Sequence, residues 1–169
     1  MMHYFIHNHN TFGTKLSARA GNGVGYKYRG NFLYAVDASG NETLESIGCD
    51  EGRVVVTYSS TGVPTYKDYW QVKDHLGSVR AVYDLSTTGT IDSREKELSD
   101  YQPLGTRVER LSTPYNHWRF SGKEEQKIDG TDIGLLDFGA RYYDPWLARW
   151  TTQDPLAHKY AGINIPSVA

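Results

Sequence analysis

The chain of 169 residues is long enough for one domain with one hydrophobic core, and its formal net charge is −2. That charge excludes the basic footprint of a nucleic-acid-binding protein, and the single cysteine, Cys49, excludes an internal disulfide and a cysteine-rich metal site. No apolar run approaches the roughly 18 residues of a membrane span, and the N-terminus lacks the features of a secretion signal, so a complete product of this length is expected in the cytoplasm.

The composition and the spacing of turn residues predict an all-β protein. Thirteen tyrosines and four tryptophans supply large apolar areas with a polar end, and 17 glycines punctuate the chain. Turn residues follow each segment of strand character, at 37–41, 49–52 and 59–63 among other places. The spacing predicts a curved antiparallel sheet of successive β-hairpins. In chain order the predicted strands are Asn31–Val36, Glu42–Ile47, Arg53–Tyr58, Thr65–Val72 and Ser78–Tyr83.

The next stretch, Ile91–Leu98, combines helix-forming residues with charge. It is short and shows little apolar periodicity, so isolated helix formation is unfavourable there. We predict an exposed turn followed by a strand, with one helical turn as the alternative.

Near the C-terminus, Leu135–Tyr143 alternates between apolar and polar residues and predicts one continuous strand. Pro145 would end this strand because proline has no N–H for the ladder. The stretch contains Asp137-Phe138-Gly139, the triplet that holds magnesium in protein kinases. The sequence lacks the catalytic loop and strand lysine that the triplet requires, so we interpret Asp137 as a residue on the outer face of a strand.

Histidines near the N-terminus offer metal-ligand chemistry. His3, His7 and His9 form the pattern H-x3-H-x-H, whose residue types bind zinc or nickel. Chain ends are usually loose and do not hold a preformed site, so no metal and no cofactor are predicted.

Two carboxylates, Asp144 and Asp154, are the candidate catalytic residues, and each precedes a proline. A pair of aspartates that shares a proton activates water in aspartic proteases. The structural interpretation, which we favour, is that Asp before Pro is held extended and opens a turn through its side chain.

Several segments together resemble the RHS (YD-repeat) family, specifically its RHS-repeat-associated core domain, and most closely the versions from Bacteroides-type bacteria. They occur in the family's order: YRGNFLY at 28–34, KDHLGSVR at 73–80, YQPLG at 101–105, WRFSGKE at 118–124, and the segment from Gly134 to Pro155. Leu104 stands where the family usually has Phe, and Ala148 where it usually has Gly. The residues at the family's motif positions are Asp74, His75, Leu76, Gly77, Arg80, Arg119, Phe120, Gly122, Glu124, Arg141, Tyr142, Tyr143, Asp144, Pro145, Asp154 and Pro155.

The resemblance implies a shell of β-hairpins wound into a spiral, which in relatives such as the ABC insecticidal toxin complexes encloses a C-terminal toxin. In several relatives the core domain is an aspartyl autoprotease that releases the toxin, and full-length relatives are secreted or associated with the cell envelope. Here the sequence stops before the second Asp-Pro-Gly segment, so we expect a partial copy without the cleavage site. The expected division is a flexible segment at 1–14, the core segment at 15–156 and a truncated tail at 157–169.

Three functions are consistent with these features. The first, which we favour, is a non-catalytic structural segment of such a shell, whose partners are the rest of the shell and a C-terminal toxin. The second is a binding module whose tyrosine and tryptophan faces meet carbohydrate or a cell surface. The third is the remnant of a self-cleaving aspartyl peptidase. None of the three involves nucleic acid or a membrane span.

Overall fold

The computed structural model describes residues 5–11, 14–128 and 131–160. In its larger sheet, ten strands follow one another in chain order, each antiparallel to the one before. The prediction of an all-β sheet of successive hairpins is therefore confirmed. The strands are β1 (Phe5–His9), β2 (Lys15–Ala20), β3 (Gly25–Arg29), β4 (Phe32–Val36), β5 (Glu42–Cys49), β6 (Gly52–Tyr58), β7 (Pro64–Lys73), β8 (Val79–Asp84), β9 (Glu95–Tyr101) and β10 (Arg107–Leu111).

One kind of turn recurs between these strands. The N–H of its first residue donates to the carbonyl of its fifth, and the N–H of a glycine at the fourth position donates to the carbonyl of the first. That glycine has a positive φ in every case, which glycine adopts without steric cost. Short-range turn chemistry thus sets the register of the hairpins. The turns of this kind lie at 20–24, 37–41, 59–63, 74–78 and 102–106.

The segment Ile91–Leu98 contains both of the structures considered for it. Ile91–Arg94 forms a single helical turn, α1, and the Thr90 side chain caps it by accepting the Ser93 N–H. β9 then begins at Glu95. The helix ends after four residues because Glu95 has extended backbone angles and pairs with Tyr83 of β8.

A second sheet contains four strands in chain order: β11 (Glu124–Ile128), β12 (Thr131–Asp137), β13 (Tyr142–Asp144) and β14 (Arg149–Trp150). The predicted continuous strand over Leu135–Tyr143 is wrong, because a hairpin turn divides it between β12 and β13. Gly139 has a φ of +85° and Asp137 Oδ1 accepts its N–H at 2.7 Å. The Phe138 N–H donates to the Arg141 carbonyl at 3.1 Å and closes the turn.

The placement of Asp137 on an outer strand face is also wrong. Its carboxylate is buried and lies 2.8 Å from the Lys15 ammonium of β2. A period-2 pattern continues through a short turn without interruption, so alternation alone could not separate the strand from the hairpin.

The segment that joins the two sheets crosses one face of the larger sheet. We call residues 113–119 the strap. Tyr115 of the strap packs on a core cluster from β6, β7 and β8. Alternation along β7 places Tyr69 and Gln71 towards the strap and Trp70 on the opposite face. The cluster consists of Val55, Tyr69, Val79 and Val82.

After the strap the chain reverses at η1 (Phe120–Gly122) and pairs with itself. The Arg119 N–H donates to the Lys123 carbonyl at 2.8 Å, and the Glu125 N–H donates to the His117 carbonyl at 2.7 Å. The Arg119 carbonyl also accepts the Val79 N–H of the larger sheet at 3.2 Å. The strap is therefore hydrogen-bonded to both sheets. Over the residues that the structure describes, no helix has the length and apolar character required to cross a bilayer.

Candidate functional site

The strap carries the most deeply buried arginine of the structure's described part. Arg119 is 1% exposed, and its Nη1 pairs with Glu97 of β9, which is fully buried. Its Nε lies 3.0 Å from Oε2 of Glu125 on β11. Two amides extend the network, because Asn116 donates to Glu97 at 2.9 Å and Gln71 donates to Asn116 at 3.1 Å. One guanidinium thus joins both sheets through two carboxylates.

The buried ion pair between Arg119 and Glu97 fixes the position of the strap more than it adds to the net stability of the fold. Burial raises the pKa of the Glu97 carboxyl above its ordinary value, and the charge of Arg119 opposes that rise. Removing two charges from water costs several kcal/mol per ion, which their mutual attraction offsets only when both are present. The arrangement therefore ties the strap to one position on the sheet.

The two strap residues next to Arg119, His117 and Trp118, make further contacts with the sheet. His117 Nε2 lies 2.6 Å from Oε1 of Glu45, and its ring packs edge-on against Tyr26. The Arg53 guanidinium stacks 3.8 Å from the Trp118 ring centroid and donates to the Ser46 hydroxyl. Burial lowers the pKa of Arg53 to about 10, which leaves its charge intact at neutral pH. Polar side chains thus line the contact between residues 116–119 of the strap and the sheet, beside the apolar contact that Tyr115 makes.

A second ionic cluster connects β2 with the smaller sheet. The Lys15 ammonium lies 2.9 Å from Glu124 and 2.8 Å from Asp137, and 5.0 Å from the ring centroid of Tyr28. The Tyr28 hydroxyl donates to Glu124. Burial alone would raise the pKa of the Asp137 carboxyl, but the hydrogen bond and charge of Lys15 lower it below its ordinary value. We call Lys15, Tyr28, Glu124 and Asp137 the clasp.

The candidate catalytic residues Asp144 and Asp154 both lie in turns. Asp144 Oδ1 accepts the N–H groups of Trp146 and Leu147 at 2.9 and 3.0 Å. Asp154 Oδ1 accepts the Leu156 N–H at 2.8 Å, and its other oxygen lies 3.0 Å from Arg141. These contacts are typical of aspartates that shape a turn through the side chain.

Ala148 follows the Asp144 turn with a φ of +55°, a conformation that costs an L-residue roughly 1–2 kcal/mol. The family resemblance has glycine at this position, and the backbone supplies the physical reason for that preference.

The remaining motif residues divide between turns and the strap region. Asp74 accepts the Leu76 and Ser78 N–H groups at 3.0 and 2.9 Å, and Gly77 has a φ of +82°, so the D-H-L-G motif is the turn between β7 and β8. His75 and Leu76 are exposed at its tip. Arg80 pairs with Asp100, Phe120 packs against Tyr101, and Gly122 has a φ of +64°.

Two further motif residues connect β13 and the turn after it with the turn at 102–106. The Tyr143 hydroxyl donates to the Leu104 carbonyl at 3.0 Å, and the Thr106 hydroxyl donates to the Pro145 carbonyl at 2.8 Å.

Sequence reasoning missed Lys15, Glu97 and Glu125, which complete the buried ion pairs. The partner of Lys15 lies far away in the chain, because Lys15 and Glu124 are 109 positions apart. A charged residue at an inward strand position is a weak local signal for such a pair.

His7 and His9, the two N-terminal histidines that the structure describes, do not share a common contact. His7 Nδ1 lies 2.8 Å from the Tyr142 hydroxyl, His9 is exposed, and His3 lies outside the described residues. Within 5–11, 14–128 and 131–160, no three His, Cys, Asp or Glu side chains are grouped as metal ligands.

Comparison with known proteins finds one similar sequence and several similar solved structures. No family model matches the sequence. Over 73 residues the chain is 40% identical to Toxin subunit YenC2 of Yersinia entomophaga, a match that covers 40% of this chain and 7% of that protein. Two solved structures, of TcdB2-TccC3-TEV and of TcdB2-TccC3 without its hypervariable C-terminal region, superpose with TM-scores of 0.55 and 0.56 at 19% and 20% identity. Each match covers 89% of this chain and 9% of the solved chain. The chain therefore shares the fold of a segment of these proteins and spans less than a tenth of their length.

Proposed function

We propose that the chain is a non-catalytic structural segment of an RHS-type β-shell. The observation that carries this proposal is the uninterrupted order of ten antiparallel strands, each paired with its neighbours in sequence, under a strap held by buried ion pairs. In repeat architectures each unit buries its face against neighbouring units, and a meander of this kind extends by adding hairpins at its edges. The similarity to a toxin subunit and the ordered motifs support the same assignment.

The proposal assigns the acidic residues to structure. Asp144 and Asp154 accept backbone N–H groups of their own turns. Glu97 and Glu125 pair with the buried Arg119, and Glu124 and Asp137 pair with the partly buried Lys15. A general acid or base needs a carboxyl that faces the reacting group, whereas these carboxyls contact backbone N–H groups and cationic side chains of the chain itself.

In this proposal, the β-shell to which the chain contributes is part of a longer protein. Its partners would be the rest of the shell and a C-terminal toxin that the shell encloses and delivers, as the family resemblance implies. Such a protein would be secreted or attached to the cell envelope. The subgroup from Bacteroides-type bacteria and the division at residues 14 and 156 remain predictions of the sequence.

A chimera tests this function. In Toxin subunit YenC2, the segment that this chain matches is replaced by the corresponding residues of this chain. We expect the chimera to be monodisperse at the size of the parent and to resist limited proteolysis as the parent does, because the exchanged segments are 40% identical over 73 residues. Size-exclusion chromatography and a timed protease digest are the measurements.

The matched control has the same composition, with two of the transplanted hairpins exchanged in order. We expect that control to aggregate or to be digested rapidly, since the exchanged hairpins would no longer pair with the neighbours that their registers fit. A chimera that behaves like this control, beside an intact parent, would rule out the shell assignment.

A further inference from the structure

His7 connects the first strand of the larger sheet to the smaller sheet. Its ring is half-buried and packs on Tyr142 of β13 at 5.1 Å between centroids. His7 Nδ1 lies 2.8 Å from the Tyr142 hydroxyl oxygen, which lies 3.4 Å from Asp137 Oδ2. A single tyrosine hydroxyl thus stands between an imidazole and a buried carboxylate.

The same carboxylate belongs to the clasp. Asp137 is paired with Lys15 of β2, and Lys15 is also paired with Glu124 of β11. The chain of contacts from His7 through Tyr142 and Asp137 to Lys15 therefore begins on β1 and returns to the neighbouring β2. Any change at His7 reaches the ion pairs that hold the smaller sheet.

We propose that His7 is a pH-sensitive latch, which holds the smaller sheet against β1 and β2 when it is neutral and loosens that contact when it is protonated.

The hydrogen bond between His7 and Tyr142 explains why protonation of His7 loosens the contact. Neutral His7 with its proton on Nε2 accepts the Tyr142 O–H at Nδ1, and burial raises the pKa of that tyrosine hydroxyl, so it stays a donor. Protonated His7 has no acceptor nitrogen. Tyr142 must then accept from His7, its own proton turns towards Asp137, and a second cation enters the site beside Lys15.

The charges around His7 determine the direction of the effect. Burial lowers the pKa of His7 below its ordinary value of 6.5, and Lys15 and His9 lower it further, while Asp137 and Glu124 oppose this. A histidine whose pKa is lower in the folded state contributes stability that is present above the unfolded value of 6.5. That stability is lost as the pH falls through 6.5 towards the folded-state pKa.

The test compares thermal unfolding of the wild-type chain with His7→Asn and His9→Asn between pH 7.5 and pH 5.5, in buffer with EDTA. Asparagine places an amide oxygen near the position of Nδ1 and carries no proton that titrates in this range. We expect the midpoint of the wild type to fall by roughly 2–4 °C more than that of His7→Asn. His9→Asn removes an exposed histidine of the same strand, whose charge affects His7 less than burial and Lys15 do, and it should retain most of the wild-type pH dependence.

Equal pH dependence of wild type and His7→Asn would overturn the latch. If His7→Asn does not fold, NMR titration of the His7 imidazole in the wild-type chain decides the question. A pKa below 6.5 for His7 supports the proposal, and a pKa at or above 6.5 overturns it.

Discussion

Replacement of Arg119 by methionine is expected to lower the free energy of unfolding by about 3–5 kcal/mol. Methionine preserves much of the side-chain length but removes the cation between Glu97 and Glu125. Glu97 is fully buried and would either remain charged without its cation or take up a proton, and both outcomes destabilise the native state. Urea unfolding followed by tryptophan fluorescence measures the change.

Two controls separate the buried pair from a general loss of an arginine. Arg80→Met removes a half-exposed guanidinium paired with Asp100, and its expected cost is within about 1 kcal/mol. The double variant Arg119→Met with Glu97→Met removes both charges and should recover a large part of the loss. Equal costs for Arg119→Met and Arg80→Met would contradict the burial of Arg119 between Glu97 and Glu125.

The second large effect is expected at Gly52, the first residue of β6. A Cβ at this position would lie 2.0 Å from the carbonyl oxygen of Tyr69 on β7, well inside van der Waals contact. The obstructing atom belongs to the backbone, so rotation of a side chain cannot relieve the clash. We expect Gly52→Ala to separate the start of the β6–β7 ladder and to lower the free energy of unfolding by about 3 kcal/mol.

Gly30→Ala is the matched control for this prediction. Gly30 has a φ of +60° and nothing within 4 Å of the added Cβ, so its cost is only the backbone strain of about 1–2 kcal/mol. Urea unfolding of the two variants beside the wild type gives both numbers. A smaller loss at Gly52 than at Gly30 would show that β6 and β7 do not approach each other as described.

Most turns and strands of the larger sheet can be predicted from short-range sequence patterns. The turns at 37–41 and 59–63 were predicted because Asp, Ser, Asn and Gly favour turn conformations, and both turns are present between paired strands. Predicted strands such as Arg53–Tyr58 and Thr65–Val72 correspond to β6 and β7 within one or two residues. Both signals act over fewer than ten residues, the range that a single sequence reports well.

The two errors arise from a local turn and from a contact between distant residues. Leu135–Tyr143 has the alternation of a strand, but the Asp137 side chain and the positive φ of Gly139 create a turn inside it. Asp137 faces Lys15 of β2, a partner that no local pattern specifies. The family motifs identified Arg119 and Glu124 as notable positions. Their ion pairs with Glu97 and Lys15 depend on how the strap and the smaller sheet lie against the larger sheet, which no local pattern specifies.

The central claim is that the strap is packed against the hairpins of the larger sheet as part of one folded unit. Amide hydrogen exchange of the purified chain tests this claim most directly. We predict that peptides covering 113–125 exchange as slowly as those from β6 to β8, because the Arg119 and Glu125 amides are hydrogen-bonded and Arg119 is buried. Exchange of 113–125 at the rate of an unstructured peptide, with β6 to β8 still protected, would contradict the claim, since the hairpins would then stand without the strap.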